Sequence, residues 1–205
     1  MTTLEKFEIE LKNLIEKPTG LRPFVCNGSP LECKVFIVGF NPASSMSTDF
    51  WNFWTTQEGF DKSKWFEEYK KERQLSPLRP GKKRRNTVSN SRRVIEWVLE
   101  GASTLQCLET NIYARATEQA ADLKTELRIA TNFDFLVKKI KPLIIVTHGR
   151  DAESHIQSTA TTAKIISVPH FSRGWSKEKA LALGLRINTE YDLLQLNSIH
   201  AEQSN

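Results

Sequence analysis

The stretch KVFIVGFNPASS, residues 34–45, decides the fold class. Val35, Phe36, Ile37 and Val38 are β-branched or aromatic with no polar residue among them, the composition of a strand covered on both faces and hence of a parallel sheet. The run breaks at Gly39-Phe40-Asn41-Pro42. Gly39 lets the backbone turn or approach a ligand closely. Pro42 fixes its own φ and drives Asn41 out of helical geometry, so that amide is held at the strand's carboxyl end. Open α/β sheets bind ligands at that edge. An ordinary strand followed by a plain Asn-Pro turn is the other reading of this segment taken alone.

Strand-like runs recur outward from this segment at 35–38, 105–112, 143–147 and 164–168, separated by helical patterns such as 92–99 and 133–140. The alternation predicts a three-layer α/β/α sandwich around a central, mostly parallel four-stranded sheet. Leu4, Phe7, Leu11, Leu14 and Ile15 recur at helical spacing within residues 2–17, and Pro18-Thr19-Gly20 ends that helix. No repeat or long linker divides the chain, and 205 residues with 39% hydrophobic content suit one core, so residues 1–205 are expected to form a single domain. More than sixty residues separate the first two strand runs, far above the usual connection length, and this insertion carries both an aromatic cluster and a basic loop.

Cys26, Cys33 and Cys107 are unevenly spaced, which fits a reducing compartment, and three thiolates are too few for an iron-sulfur cluster or an all-cysteine zinc site. Glu5, Glu8 and Glu10 interrupt the N-terminus, so it does not read as a secretory signal, and no apolar run approaches the ~20 residues of a membrane span. The expectation is a cytoplasmic protein, intracellular and without a membrane partner. The net charge of +5 favours a polyanionic partner only weakly. Its placement says more: residues 79–93, RPGKKRRNTVSNSRR, hold seven Lys or Arg and no acid. That loop is either a solvated charge run or, through Lys82, Lys83, Arg84 and Arg85, a contact for a phosphate backbone.

Each of the four strand ends presents polar residues: Asn41, then Thr110-Asn111, then Thr147-His148-Gly149, then Pro169-His170-Phe171-Ser172-Arg173-Gly174. In a parallel sheet these ends converge on one crevice. Singly, Asn111 reads as a satisfied buried amide, His148 as a capping or core histidine, and His170 as a turn residue. Together they resemble the uracil-DNA glycosylase superfamily, in particular the branch of mismatch-type and single-strand-selective enzymes whose first motif reads Gly-x-Asn-Pro. GFNPASS, residues 39–45, is similar to that motif, and HFSRG, residues 170–174, to the family's second motif, His-Pro-Ser. DFWNFW with QEGF, residues 49–54 and 57–60, looks like the Phe-Trp helix and Gly-Phe turn that follow the first motif. LETNIYA, residues 108–114, looks like the strand bearing the base-reading asparagine, and LIIVTHGRDA, residues 143–152, like the unit before the second motif. Phe171 stands where the family usually has proline, and Gly174 where many members carry a leucine wedge, so either Arg173 or Trp175 replaces it or the insertion is weaker. Ala43 stands where the uracil-restricted enzymes carry a tyrosine that rejects the thymine methyl group.

The resemblance implies a monofunctional DNA glycosylase of base excision repair, hydrolysing the N-glycosidic bond of uracil or a related deaminated or mismatched base. Such chemistry requires a flipped or single-stranded nucleotide. Asn41 would hold the attacking water, and His170 would stabilise the departing base by an oxyanion-type contact. Gly39, Phe40, Pro42 and Ala43 would shape the pocket, one of Phe50, Trp51 and Phe53 would stack on the base, and Asn111 would read its Watson-Crick edge. Ser172, Arg173 and Trp175 would hold DNA beside the basic loop. No metal or organic cofactor is implied, and the enzyme is expected to act as a monomer on DNA, single- or double-stranded. A catalytically inactive nucleic-acid-binding module on the same fold is the alternative. A zinc deaminase, suggested by His200-Ala201-Glu202, lacks its Pro-Cys-x-x-Cys partner, and neither a Gly-x-Ser-x-Gly elbow nor a P-loop occurs.

Overall fold

All four strand runs lie side by side in one sheet, in the order β1-β5-β2-β6-β7, in the computed structural model of the chain. The structure describes residues 1–205 apart from Ser44, Arg79, Pro80, Lys82, Glu118, Ser204 and Asn205, and the backbone alone at 120 and 199–203. The strands are β1 (Phe24–Val25), β2 (Val35–Gly39), β3 (Trp54–Thr55), β4 (Gly59–Phe60), β5 (Cys107–Asn111), β6 (Ile144–His148) and β7 (Lys164–Val168). The helices are α1 (Thr3–Ile15), α2 (Lys62–Leu75), α3 (Asn90–Gly101), α4 (Thr131–Ile140), α5 (Arg150–Gln157) and α6 (Lys177–Gln203). β5, β2, β6 and β7 are mutually parallel, as expected. The sheet nevertheless has five strands, because the two-residue β1 adds antiparallel to the β5 edge, with Phe24 opposite Thr110. Two residues are too short a run to give a period of their own. β3 and β4 form a separate small hairpin within the long insertion.

Side-chain alternation along the strands builds two cores. Val35, Ile37, Cys107, Ile144 and Val146 face α3 and α6, packing with Val94, Val98, Ala180, Leu183 and Ile187. Phe36, Val38, Leu108 and Ile145 face the opposite way, packing with Phe7 and Leu11 of α1, Phe133 and Leu136 of α4, and Ile156 of α5. That arrangement is the three-layer α/β/α sandwich. The first of these faces is closed by an unusually near helix pair: a methyl group on Gly101 would lie 2.4 Å from the Leu181 carbonyl oxygen, and one on Gly184 would lie 2.3 Å from that of Val98. Two glycines therefore set how closely α3 and α6 approach. No helix among the described residues is long and apolar enough to cross a membrane.

β2 sits centrally, with β5 on one side and β6 on the other. The chain leaves β2 to form β5 and later forms β6 on the opposite flank, so the sheet reverses its winding about β2. The carboxyl end of β2 is the switch point at which open α/β sheets form a crevice.

Candidate functional site

Alternation places Gly39, Asn111 and His148 on the face that also carries Val35, Cys107 and Val146. Gly39 and Asn111 are register partners, and β6 flanks β2 on its other edge. A methyl group built on Gly39 would lie 2.7 Å from Asn111 Oδ1 and 2.9 Å from both Cε1 and Nε2 of His148. Glycine leaves the room there in which two polar side chains converge.

Above this seam lies a cavity of about 100 Å³. Asn41, Pro42, Ala43, Asn111 and His148 line it, together with Arg22, Phe24, Tyr69, Arg92 and Glu109. Asn41 Nδ2 donates to Thr117 Oγ1 at 2.6 Å, and the Thr117 hydroxyl donates to the Gln119 carbonyl at 2.7 Å. A hydroxyl has one proton. Since that proton is committed to a carbonyl, the Thr117 oxygen must accept from Asn41, which orients the amide and leaves Asn41 Oδ1 as an open acceptor. The Thr117 N–H also donates to the Pro42 carbonyl at 3.0 Å, so the turn and its orienting residue are tied twice.

His148 is buried, and its ring stacks on Phe171 with centroids 4.4 Å apart. Burial, followed by the charges of His170 and Arg92, lowers its pKa to about 3. It is a neutral imidazole at any physiological pH, and its Nδ1 is buried without a hydrogen-bond partner among the described residues. Phe171 thus fills the position where proline was expected, with Trp175 set edge-on against it at 5.0 Å.

Glu109 stands at the cavity's inner wall in a charge network. It pairs with Arg92, and with Lys62 at 3.0 Å, while Arg92 also meets Glu96 at 3.0 Å and covers the Trp65 ring at 4.8 Å. Burial alone would push the Glu109 carboxyl up; Arg92 and Lys62 outweigh it and hold the carboxyl below its ordinary range. Arg92, part of the basic run in the sequence, is therefore an interior residue.

Several expected site residues lie elsewhere. Phe50, Trp51 and Phe53 are buried in the α1/α4 core, Phe50 stacked on Phe60 at 5.2 Å and Trp51 donating its indole N–H to the Glu16 carbonyl. They form a tight 3₁₀ turn that Asp49 caps, and none of the three lines the cavity; its aromatic walls are Phe24 and Tyr69 instead. Phe40 turns away from it as well, set edge-on against Tyr113 at 5.0 Å. His170 is exposed and does not line the cavity, its ring centroid 5.1 Å from that of His148. The Ser172 N–H donates to His170 Nδ1 at 3.2 Å, and the Ser172 hydroxyl lies 2.8 Å from the same nitrogen. The neutral ring therefore carries its proton on Nε2, and the N–H and hydroxyl of Ser172 are turned onto the ring. Burial, then Arg173, lowers the His170 pKa. Gly174 adopts φ +74°, a left-handed turn that disfavours a leucine side chain there. Arg173 is exposed, and Trp175 donates its N–H to the Pro169 carbonyl at 3.3 Å.

In the basic loop, Lys83 and Arg84 are exposed, Arg85 bonds back to the Pro77 carbonyl, and Lys82 lies outside the described residues. The three cysteines are free and buried. No group of three or more His, Cys, Asp or Glu side chains among the described residues is arranged to hold a metal. Arg22, Tyr69, Glu109 and Thr117 escaped the sequence reading; His148 did not escape it but was given no role. Its signal was present, since alternation from Ile144 and Val146 puts His148 on the face that Gly39 leaves open. No family model matches this chain, and no curated protein does.

Proposed function

We propose that the chain is a DNA glycosylase hydrolysing the N-glycosidic bond of uracil or a related deaminated or mismatched base. The observation that carries this reading is the glycine seam: at Gly39, Asn111 and His148 converge beneath a cavity whose rim holds the oriented Asn41 amide. The resemblance of GFNPASS and HFSRG to the motifs of the uracil-DNA glycosylase superfamily supports the same reading.

In this reading a flipped base enters the cavity between Tyr69 and the seam. Asn111 offers a donor and an acceptor to its Watson-Crick edge. Asn41 Oδ1 holds a water at the sugar's anomeric carbon; an amide cannot take up the proton as a base, so its contribution is placement. His148 meets the ring as a neutral imidazole, and His170 keeps an Nε2–H donor beside it, outside the cavity. Lys83, Arg84 and Arg173, all exposed, are available to flanking phosphates.

The test is a panel of oligonucleotides bearing uracil, hypoxanthine, xanthine or a thymine mismatch, single- and double-stranded, treated with alkali after incubation. Strand scission at the modified position in at least one member is the expected result. Scission in none, with DNA binding retained, identifies the inactive binding module, which the position of His170 outside the cavity favours.

A further inference from the structure

Arg22 is the one cavity-lining cation among the described residues that makes no ion pair or hydrogen bond through its side chain. Its backbone is fixed: the Arg22 N–H donates to the Ala114 carbonyl at 3.0 Å. The Pro23 carbonyl next to it accepts from Thr110 Oγ1 at 2.7 Å and Asn132 Nδ2 at 3.2 Å. Arg22 is thus held beside the carboxyl end of β5, half-buried, in the wall of the cavity that Asn41 and Asn111 line. The groups acting on it are Arg92 from α3, Glu109 from β5 and Tyr69 from α2, and the neutral His148 from β6 lines the same cavity. Glu109 is already shared between Arg92 and Lys62, so the walls hold two guanidiniums and a single carboxylate that is itself engaged. None of its nitrogens is buried away from solvent, so the guanidinium is open within the cavity to a ligand that supplies the opposite charge.

From this placement we infer that the cavity selects its ring in the anionic state, the conjugate base of an N–H-acidic heterocycle, with Arg22 as the charge partner. The inference rests on the base-pocket reading above. In glycosidic cleavage the C1′–N bond breaks with its electron pair going to the ring, which becomes that anion, while water oxygen bonds to C1′. The proton lost from the water ends, through solvent, on the released base. Arg22 then meets charge as it forms on the leaving group, which places inside the cavity the role the sequence reading gave to His170. Burial and the neighbouring Arg92 lower the guanidinium to about 10, so it stays charged through the neutral and mildly alkaline range.

Free uracil and free 5-fluorouracil are the probes, titrated calorimetrically into the full chain from pH 6 upward to a limit below the Arg22 pKa. The affinity for 5-fluorouracil, the more acidic ring, is expected to rise as the pH passes that ring's own ionisation, and the rise for uracil to come at correspondingly higher pH. Arg22→Met is expected to flatten the rise and to weaken binding of the anion by roughly tenfold to a hundredfold, the value of a charged hydrogen-bonded pair. Arg22→Lys is expected to restore part of it. Removing a cation without a partner leaves the thermal midpoint unchanged or raised, so the variant remains testable. A flat or falling profile in the parent, or the same rise in Arg22→Met, overturns the inference. If anion binding depends on Arg22 yet no oligonucleotide loses a base, the glycosylase reading fails and the anion site stands. If uracil is released but the free-base profile is flat, the reverse holds.

Discussion

Thr117 determines which end of the Asn41 amide is an acceptor. Its hydroxyl proton is committed to the Gln119 carbonyl, so the 2.6 Å contact with Asn41 Nδ2 can run in one direction only. Neither residue reaches the other through sequence proximity; the loop after β5 brings Thr117 back over the turn that follows β2. If the chain is the proposed glycosylase, Asn41→Ala is expected to abolish base release while leaving DNA affinity within about threefold, because water placement would act on the transition state and not on ground-state binding. Thr117→Val frees the amide to rotate and is expected to cost roughly 10² in kcat with little change in KM, and Thr117→Ser to recover most of it. Single-turnover rates of the three variants decide this, and equal rates for Thr117→Val and the parent would remove Thr117 from the site.

Gly39→Ala separates folding from function. The atoms nearest the added methyl are the ends of two side chains, Asn111 and His148, so the sheet can keep its register while those side chains shift. Base release or free-uracil binding is expected to fall at least tenfold, with a stability loss of about 1 kcal/mol, at the low end of the usual cost of overpacking. Circular dichroism melts and calorimetry on the same sample check both halves. Gly184→Ala is the contrasting control: its methyl would strike the Val98 carbonyl and the Ala102 nitrogen, both backbone, so it loses stability first.

The strands and the crevice were legible because short apolar runs, most of them rich in β-branched residues and each leading into a polar segment, have one economical arrangement, a parallel sheet with its polar ends together. What escaped was set by packing. DFWNFW carries aromatic residues in either role, and only the closeness of Phe24, Phe60 and Trp54 turns them into core. His170 and His148 stand at the ends of neighbouring strands, but one lies inside the strand's alternation and the other beyond it, so the pleat favours His148. Arg22 carries no local signal at all. Its importance arises from an absence of partners, which no sequence pattern records.

The neutral His148 makes stability depend on pH in a predictable direction. Its folded pKa, about 3, lies below the ordinary value of 6.5, so between those values the unfolded chain binds the proton and the folded chain does not. Stability is therefore full above the unfolded value and is lost as pH falls from about 6.5 toward 3, by at most about 1.4 kcal/mol per pH unit from this residue. His170, also lowered, contributes in the same direction and over a smaller window. Glu109, held below its ordinary range, adds its own loss only once the pH drops under the usual carboxylate value of 4.5. Denaturant melts between pH 7 and 5 thus isolate the histidines, and His148→Gln is expected to remove most of the slope. A slope unchanged in that variant would mean that His148 is not the group resisting protonation.

Ala43 gives the sharpest test of where a base would sit. It is exposed at the mouth of the cavity, in the same lining as Asn41, Pro42 and Asn111, so a larger side chain there projects into space that a ring substituent would otherwise occupy. If Asn111 reads the Watson-Crick edge and Asn41 faces the sugar, the ring edge left toward Ala43 is the one bearing C5. Ala43→Tyr should then penalise thymine or 5-hydroxymethyluracil selectively, since a packed wall absorbs an added methyl group only with strain of roughly 1 to 3 kcal/mol, about tenfold to two-hundredfold in rate. Uracil, with hydrogen at C5, should lose much less. The measurement is the ratio of single-turnover rates on uracil and on the 5-substituted substrates, before and after the substitution. Equal losses on both would place the introduced phenol ring across the whole mouth and not beside C5, and no loss on either would put the base on the Tyr69 side of the cavity, away from GFNPAS.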